Sequence, residues 1–320
     1  RLKKVVVMGP NADSRESLLG NYNGKPSRML TPLQAIRERL NGWAEVVYIK
    51  GMDHVTAVSE SQLKEYVNQA KGADVVLFVG GISPRLEGEE MPVSKDGFDG
   101  GDRTTIALPE VQTQVMKALV VARIPTVFVM MTGSALAIPW EARNIPAILN
   151  AWYGGQYGGE AIADVLLGDY NPSGKLPVTF YAQDSDLPDF ESYDMQGRTY
   201  RYFKGKSLYP FGHGLSYTDF SYSKAKLNKK SMSVNDSVFL SLNLKNTGLR
   251  DGDEVVQVYI RNLQDSEGPS KSLRGYKRVS VKAGQTVPVK IDLPASSFEF
   301  FNPVTEKMEV RPGKYEILYG

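Results

Sequence analysis

The first two thirds of the chain alternate short apolar runs with amphipathic stretches. Residues 5–8 are almost continuously apolar, which is typical of a strand buried on both faces of a parallel sheet. The next stretch places Leu33, Ile36 and Leu40 on one helical face, behind Thr31 as a candidate N-cap. The same reasoning predicts strands at residues 5–8, 44–49, 74–79, 125–131 and 145–151, and helices at residues 32–40, 61–70, 109–122 and 160–167.

Alternating strands and helices predict an α/β fold, a doubly wound and mostly parallel sheet with helices on both faces. The last third of the chain follows a different period. Val238, Leu240, Leu242 and Leu244 alternate with polar neighbours, as in a half-buried antiparallel strand. Further strands are predicted at residues 255–260, 276–281, 287–293 and 314–319. This spacing favours an all-β, immunoglobulin-like sandwich of about seven strands.

Residues 176–220 separate the two patterns and are rich in proline, glycine and aromatic residues. This stretch is too apolar for a flexible linker, so we expect an ordered strap between two domains. The predicted organisation is an α/β domain over residues 1–180, a strap over 181–220 and a β-sandwich over 221–320. A chain of 320 residues is long enough for two domains.

The composition narrows the classes of function. Lys and Arg number 38 against 36 acidic residues, so the net charge of +2 gives no reason to expect nucleic acid or an anionic membrane as a partner. No apolar run approaches the ~20 residues that span a bilayer. The chain has no cysteine and only His54 and His213, so neither a metal centre nor a cofactor is expected. We interpret His213 as a structural residue packed in the strap.

Three loops should open at the same edge of the predicted sheet. They follow the first, third and fifth predicted strands and contain residues 19–24, 80–103 and 152–156. Ligands of open α/β sheets bind beyond the carboxyl ends of the strands, so these loops are the candidate site. Their length supports a function, because long irregular loops are uncommon in compact domains unless they are functional.

The second loop carries Glu87, Glu89 and Glu90 beside Arg85. Crowded carboxylates raise one another's pKa, which lets one of them stay protonated for general-acid chemistry. The alternative interpretation is a charged surface loop. A nucleotide site is a further alternative, but residues 9–13 lack the glycine pattern and the immediate helix of a dinucleotide-binding turn.

Several motifs resemble those of glycoside hydrolase family 3. The longest is GGQYGGEAIADVLLGDYNPSGKLPVTF at residues 154–180, followed by RTYRYF at 198–203 and YPFGHGLSY at 209–217. The segments EVVQVY at 254–259 and LRGYKRV at 273–279 resemble the fibronectin type III-like domain of that family. The resemblance covers essentially the whole chain in the expected order.

The resemblance implies a retaining exo-β-glycosidase of the β-xylosidase or β-glucosidase type. In this family a (β/α)8 barrel carries the nucleophilic Asp and the following α/β domain carries the acid/base Glu. The chain corresponds to the second and third domains and begins at Arg1, so a barrel is expected upstream or in another chain, and the isolated chain is expected to be inactive. The expected substrate is an oligosaccharide or glycoside with terminal xylose or glucose, and family habit suggests a periplasmic or secreted protein. The alternative function is a non-catalytic carbohydrate-binding or scaffolding module.

Carried over by position, Glu87 matches the general acid/base, with Glu89 as the runner-up and Glu90 as a more distant third. Glu87 would protonate the departing glycosidic oxygen while the Asp of the barrel attacks the anomeric carbon. It would then take a proton from the water that hydrolyses the glycosyl-enzyme.

Two further positions match the family loops. Tyr22 matches an aromatic residue that walls the +1 sugar subsite, and its alternative role is to anchor its own loop. Asp102 and Arg103 are expected to brace the acid loop through a bidentate ion pair rather than to touch sugar.

Overall fold

The computed structural model describes residues 2–89 and 91–320, and its contacts divide the chain into two compact units. The first unit runs to Tyr170 and includes Phe180–Leu187 and Lys206–Leu208. The second unit comprises Asn171–Thr179, Pro188–Gly205 and Tyr209–Gly320. The residues interpreted as a strap are therefore divided between both units. The domain bounds at residues 180 and 220 stay predictions.

The first unit alternates strands and helices around one sheet. In chain order its elements are β1 (Lys4–Met8), α1 (Pro32–Leu40), β2 (Glu45–Ile49), α2 (Glu60–Ala70), β3 (Val75–Gly81), α3 (Pro84–Glu87), β4 (Ser94–Lys95), β5 (Phe98–Asp99), β6 (Asp102–Arg103), α4 (Glu110–Val121), β7 (Thr126–Met131), α5 (Glu141–Asn144), β8 (Ala147–Asn150) and α6 (Gly158–Leu167). Five strands form a parallel sheet in the order β2-β1-β3-β7-β8. This is the order of a common doubly wound fold, so the predicted fold class is confirmed.

The elements of this unit follow from local sequence. Thr31 and Gln34 form a reciprocal capping box at the start of α1, and Leu33 and Ile36 lie buried on its inner face. Val6 of β1 is fully buried, as expected for a strand between two layers of helices. The strands predicted from apolar runs are all present, with bounds that differ by a few residues.

The second unit is a β-sandwich. Its elements are α7 (Thr199–Tyr202), β9 (Phe220–Leu227), β10 (Val238–Asn246), β11 (Gly252–Asn262), β12 (Ser272–Val281), β13 (Thr286–Leu293), β14 (Glu299–Asn302), β15 (Lys307–Val310) and β16 (Tyr315–Tyr319). Two three-stranded sheets, β13-β10-β9 and β12-β11-β16, contribute residues such as Leu242 and Val258 to one buried core. The predicted sandwich is confirmed. Strand β9 was not predicted, because it is an edge strand whose exposed Lys224 and Lys226 obscure its alternation.

Candidate functional site

Three side chains meet at the carboxyl ends of neighbouring strands. Glu87 belongs to α3 after β3, Ser134 follows β7 and Tyr153 follows β8. Strands β3, β7 and β8 are adjacent in the sheet, so their loops open at one edge. This edge is where open α/β sheets bind ligands. The structure therefore brings together two of the three loops selected from the sequence, 80–103 and 152–156.

A short helix fixes the position of Glu87. Ser83 caps the start of α3 and Pro84 occupies its first turn, while Gly88 ends it in the left-handed conformation with φ of +59°. A Cβ on Gly88 would lie 2.7 Å from Cγ2 of Val93, so glycine is required there for space as well as for conformation. The helix therefore ends directly after Glu87.

The Glu87 carboxyl is half-buried, and each of its oxygens accepts one hydrogen bond. Ser134 donates its hydroxyl to Oε1 over 2.7 Å and Tyr153 donates its hydroxyl to Oε2 over 2.6 Å. Gly133 makes room for the carboxyl, because a Cβ there would lie 2.5 Å from Oε2. Two neutral donors thus orient the carboxyl of a residue that remains partly open to solvent.

The environment keeps Tyr153 protonated. Burial raises the pKa of its hydroxyl well above its usual value of 10, and the negative charge and the accepted hydrogen bond of Glu87 raise it further. Tyr153 therefore stays a hydrogen-bond donor throughout the neutral range. Its role toward Glu87 is to orient and stabilise the carboxylate, not to transfer a proton.

Arg103 supports the site through Ser134. It donates from Nη1 to Oγ of Ser134 over 2.7 Å and to the carbonyl of Ala135 over 3.0 Å. Burial lowers the pKa of Arg103, and the charge of Glu87 partly offsets this effect. Within the described residues Arg103 forms no ion pair, so the predicted bidentate brace with Asp102 is wrong. Asp102 is instead exposed, so water solvates its charge.

The structure places Tyr22 beside Glu89 and not beside Glu87. The Tyr22 side chain is 87% exposed, and its hydroxyl donates to Oε1 of Glu89 over 3.3 Å. Its backbone has φ of 57°, so the ring is presented from a tight turn. This contact brings the first selected loop to the second. Glu90, the third candidate carboxylate, lies outside the described residues.

Two buried amide side chains clamp the backbone that leads into α3. Asn11 donates from Nδ2 to the carbonyls of Gly80 and Ile82, each over 3.1 Å. Gln112 donates from Nε2 to the carbonyl of Gly81 over 2.7 Å and accepts from its N–H over 2.8 Å. Asn11 and Gln112 are both fully buried. This clamp therefore supplies hydrogen-bond partners to the backbone groups of residues 80–82, which are buried away from water.

The two histidines contact neighbouring side chains of the fold. Nε2–H of His54 donates to Oδ1 of Asn11 over 2.6 Å, and the His54 carbonyl accepts from Nε2 of Gln112 over 3.1 Å. Burial lowers the pKa of His54 to about 4, against a smaller upward effect of the nearby Asp53 charge. In the second unit, the ring of His213 stacks on that of Tyr209 at 5.2 Å. Across residues 2–89 and 91–320, no group of acidic and histidine side chains is arranged to hold a metal ion.

Sequence reasoning missed Ser134, Tyr153 and the clamp. Tyr153 lies in a selected loop but received no role, and Ser134 follows the apolar run at residues 125–131, whose carboxyl end was not among the selected loops. Gln112 carried a usable signal, because it is a polar residue on the apolar stripe of α4. A buried amide at such a position needs partners, which points to a backbone contact.

The sequence model of the glycosyl hydrolase family 3 C-terminal domain matches residues 1–217, and that of a fibronectin type III-like domain matches residues 254–320. This chain belongs to glycoside hydrolase family 3. The resemblance stated from motifs is thereby confirmed, and so is the order of an α/β domain followed by a fibronectin type III-like sandwich. Helices long and apolar enough to cross a membrane do not occur in the part of the chain that the structure describes.

Its relatives include enzymes named for xylose and for glucose. A xylan 1,4-beta-xylosidase of Xylanibacter ruminicola is 52% identical over 80% of this chain and 30% of its own length. A beta-xylosidase of Formosa agariphila is 35% identical over 100% of this chain and 44% of its own length. A periplasmic beta-glucosidase of Salmonella typhimurium is 33% identical over 99% of this chain and 44% of its own length. The chain therefore spans less than half the length of these relatives.

Solved structures of glycosidases match this chain over almost its whole length. A family 3 exo-beta-xylosidase in complex with a xylobiose aziridine activity-based probe matches with a TM-score of 0.86 at 26% identity, over 99% of this chain and 43% of its own. A beta-glucosidase from Erythrobacter marinus matches with a TM-score of 0.84 at 32% identity, over 100% of this chain and 45% of its own.

Proposed function

We propose that this chain supplies the general acid/base half of a retaining, exo-acting β-glycosidase. Glu87 is the proton-transferring carboxyl, and the nucleophilic Asp belongs to a (β/α)8 barrel of the same protein or of another chain. Membership of family 3 and the names of the relatives support this assignment. The observation that carries it is the oriented, half-open carboxyl of Glu87 at the ligand-binding edge of the sheet.

The reaction has two steps in which Glu87 moves one proton out and one proton back. In the first step the protonated carboxyl gives its hydrogen to the glycosidic oxygen while the Asp carboxylate attacks the anomeric carbon. The leaving alcohol departs and a glycosyl-enzyme ester remains on the Asp. In the second step the Glu87 carboxylate takes a proton from water, which displaces the Asp with overall retention. The two carboxyl groups need a separation of about 5–5.5 Å for this chemistry.

Ser134 and Tyr153 serve both protonation states of Glu87. Each oxygen has two lone pairs, so it can accept the hydroxyl hydrogen and still face the substrate. After the proton leaves, both donors face a full negative charge, and hydrogen bonds to an ionised acceptor are stronger than neutral ones. The arrangement thus stabilises the carboxylate that forms in the first step without removing its access to water.

The substrate class is an oligosaccharide of plant type with a terminal β-linked sugar. We favour xylose, because relatives at 52% and 35% identity are both named β-xylosidases, and place glucose second. Tyr22 offers an exposed ring that can stack on the sugar in the +1 subsite. Glu89 holds its hydroxyl and therefore serves to position the ring.

Glu87→Gln and Glu89→Gln, made in the protein assembled with its barrel, test the acid/base assignment. Glu87→Gln is expected to lower kcat on xylobiose by about 100- to 10,000-fold, because a poor leaving group needs the acid. It should lower the first step much less on 2,4-dinitrophenyl β-xyloside. Glu87→Ala should regain activity on that substrate with azide and release β-xylosyl azide, since azide needs no general base.

Glu89→Gln is the matched control, because it makes the same chemical change two residues away. It should retain nearly full activity on both substrates, because the amide oxygen of Gln can still accept the hydrogen of the Tyr22 hydroxyl. Azide rescue of Glu89→Ala in place of Glu87→Ala would transfer the role to Glu89. Full activity of both Gln variants would instead favour the non-catalytic carbohydrate-binding or scaffolding role for this chain.

We also propose export to the periplasm or beyond the cell. The relative from Salmonella is named a periplasmic enzyme, and a chain without cysteine does not depend on the redox state of its compartment. Immunodetection in periplasmic, cytoplasmic and medium fractions of the native host checks this proposal. A signal confined to the cytoplasmic fraction contradicts it.

A further inference from the structure

The fibronectin type III-like unit contains a cavity of about 560 Å³ that is partly open to solvent. Its walls come from the loop between β9 and β10 and from the turn between β15 and β16. Val238 and Phe298 line it and are each only 5% exposed, and Tyr315 and Ile317 pack against the same apolar core. The volume falls within the roughly 300–1,000 Å³ of small-molecule sites.

The apolar floor of the cavity is held in place by specific contacts. The ring of Phe298 meets that of Tyr315 edge to face, with centroids 5.4 Å apart and an interplanar angle of 88°. The Tyr315 hydroxyl donates to the carbonyl of Arg311 over 2.6 Å, which ties the ring to the turn at the rim. A ligand would therefore meet a formed surface of aliphatic and aromatic groups.

The polar groups around the cavity are mainly cationic. Its charged lining residues are Lys229, Lys230, Arg311 and Lys314, and no Asp or Glu occurs among the described residues that line it. Lys229 pairs with Asp236, and Arg311 pairs with Asp265 at 3.0 Å. Within residues 2–89 and 91–320, Lys230 and Lys314 form no ion pair. The mouth of the cavity therefore carries two uncompensated positive charges.

We propose that this cavity binds a small amphiphilic carboxylate. Its apolar body lies on the floor formed by Phe298 and Tyr315, and its carboxylate lies between Lys230 and Lys314. Apolar surface beside uncompensated cations is complementary to this class of molecule. A neutral sugar fits less well, because its many hydroxyls need acceptors as well as donors, and the lining provides few acceptor side chains.

Titration of the isotopically labelled chain with 4-phenylbutanoate tests the proposal by amide chemical shifts. Shifts are expected at residues 229–234 and 311–315, with a dissociation constant of roughly 1 mM for a ligand of this size. 4-Phenylbutanamide keeps the shape without the charge, and acetate keeps the charge without the apolar body. Each should bind at least about fivefold more weakly, because each lacks one half of the recognition.

Lys230→Gln with Lys314→Gln should weaken binding of the acid by about five- to tenfold and leave the amide unchanged. Lys224→Gln with Lys226→Gln is the matched control, since it removes the same charge from exposed positions outside the cavity and should have no effect. Equal binding of acid and amide, or equal effects of the two double variants, overturns the proposal. So does acetate binding as tightly as the acid, which indicates an anion site only, or the absence of shifts at these residues. None of these results depends on the glycosidase proposal.

Discussion

Tyr153 donates its hydroxyl to Glu87 over 2.6 Å, although 66 residues separate the two in the chain. The contact joins the ends of two strands that flank β7 in the sheet. Burial and the Glu87 charge raise the pKa of Tyr153, so the phenol keeps its proton and the carboxyl keeps its donor. A hydrogen bond to a charged acceptor contributes about 1.5–3 kcal/mol, enough to fix the orientation of the Glu87 side chain.

Tyr153→Phe removes this donor and keeps the ring. In the assembled enzyme we expect kcat on xylobiose to fall by about ten- to hundredfold, because the carboxylate formed in the first step loses one hydrogen bond. Steady-state kinetics measures this loss. Tyr157→Phe, which removes an exposed hydroxyl from the same loop, should leave kcat unchanged.

Tyr153→Phe should also change how the free energy of unfolding depends on pH in the alkaline range. Because the folded pKa of Tyr153 is raised, its contribution to stability is complete below about pH 10 and is lost as the pH rises above that value. The wild-type chain should therefore lose more free energy of unfolding than Tyr153→Phe between about pH 9 and pH 11. Urea unfolding measures the difference, and parallel curves would show that the phenol is not buried as described.

Gln112→Ala breaks the clamp on Gly81. The change leaves a buried N–H and a buried carbonyl without partners, which should lower the free energy of unfolding by about 2–4 kcal/mol. In the assembled enzyme kcat should fall more than KM changes, because the clamp positions α3 and contacts no substrate. Gln114→Ala, at an exposed position of the same helix, is the control and should be nearly neutral in both measurements.

His54 makes stability depend on pH in the acid range. Its folded pKa of about 4 lies below the ordinary histidine pKa of 6.5, so between these values the unfolded chain binds a proton that the folded chain does not. Stability from this group is present above about pH 6.5 and is lost as the pH falls toward 4, by about 3 kcal/mol. Urea unfolding of wild type and His54→Gln checks this. The variant should lose less over that interval, and an equal loss contradicts the assignment.

Tyr22→Ala should raise KM for xylobiose by about fivefold to tenfold, because the proposed stacking on the +1 sugar is lost. With β-xylosyl fluoride, which has no sugar at that position, KM should stay unchanged. Tyr22→Phe keeps the ring and loses only the contact with Glu89, so it should behave more like wild type. Unchanged KM for xylobiose in Tyr22→Ala would make the ring a scaffold residue.

Sequence patterns predicted most of the fold because local physics decides most of it. Continuous apolar runs predicted the parallel strands, and the capping residues of α1 predicted its bounds. Strand β9 was missed because it lies at a sheet edge, where side chains face water and the alternation is weak. Motifs then predicted the family, which the sequence comparisons confirmed.

The sequence by itself determined which carboxylates lie close together in one loop and to which family the chain belongs. Only the tertiary structure decided that Glu87, and not Glu89, lies between Ser134 and Tyr153. It also replaced the expected ion pair of Arg103 by a contact with Ser134. These partners come from three different strands, and their distances depend on strand order and on the room that Gly133 leaves. No local pattern carries that information, because it arises only when the sheet forms.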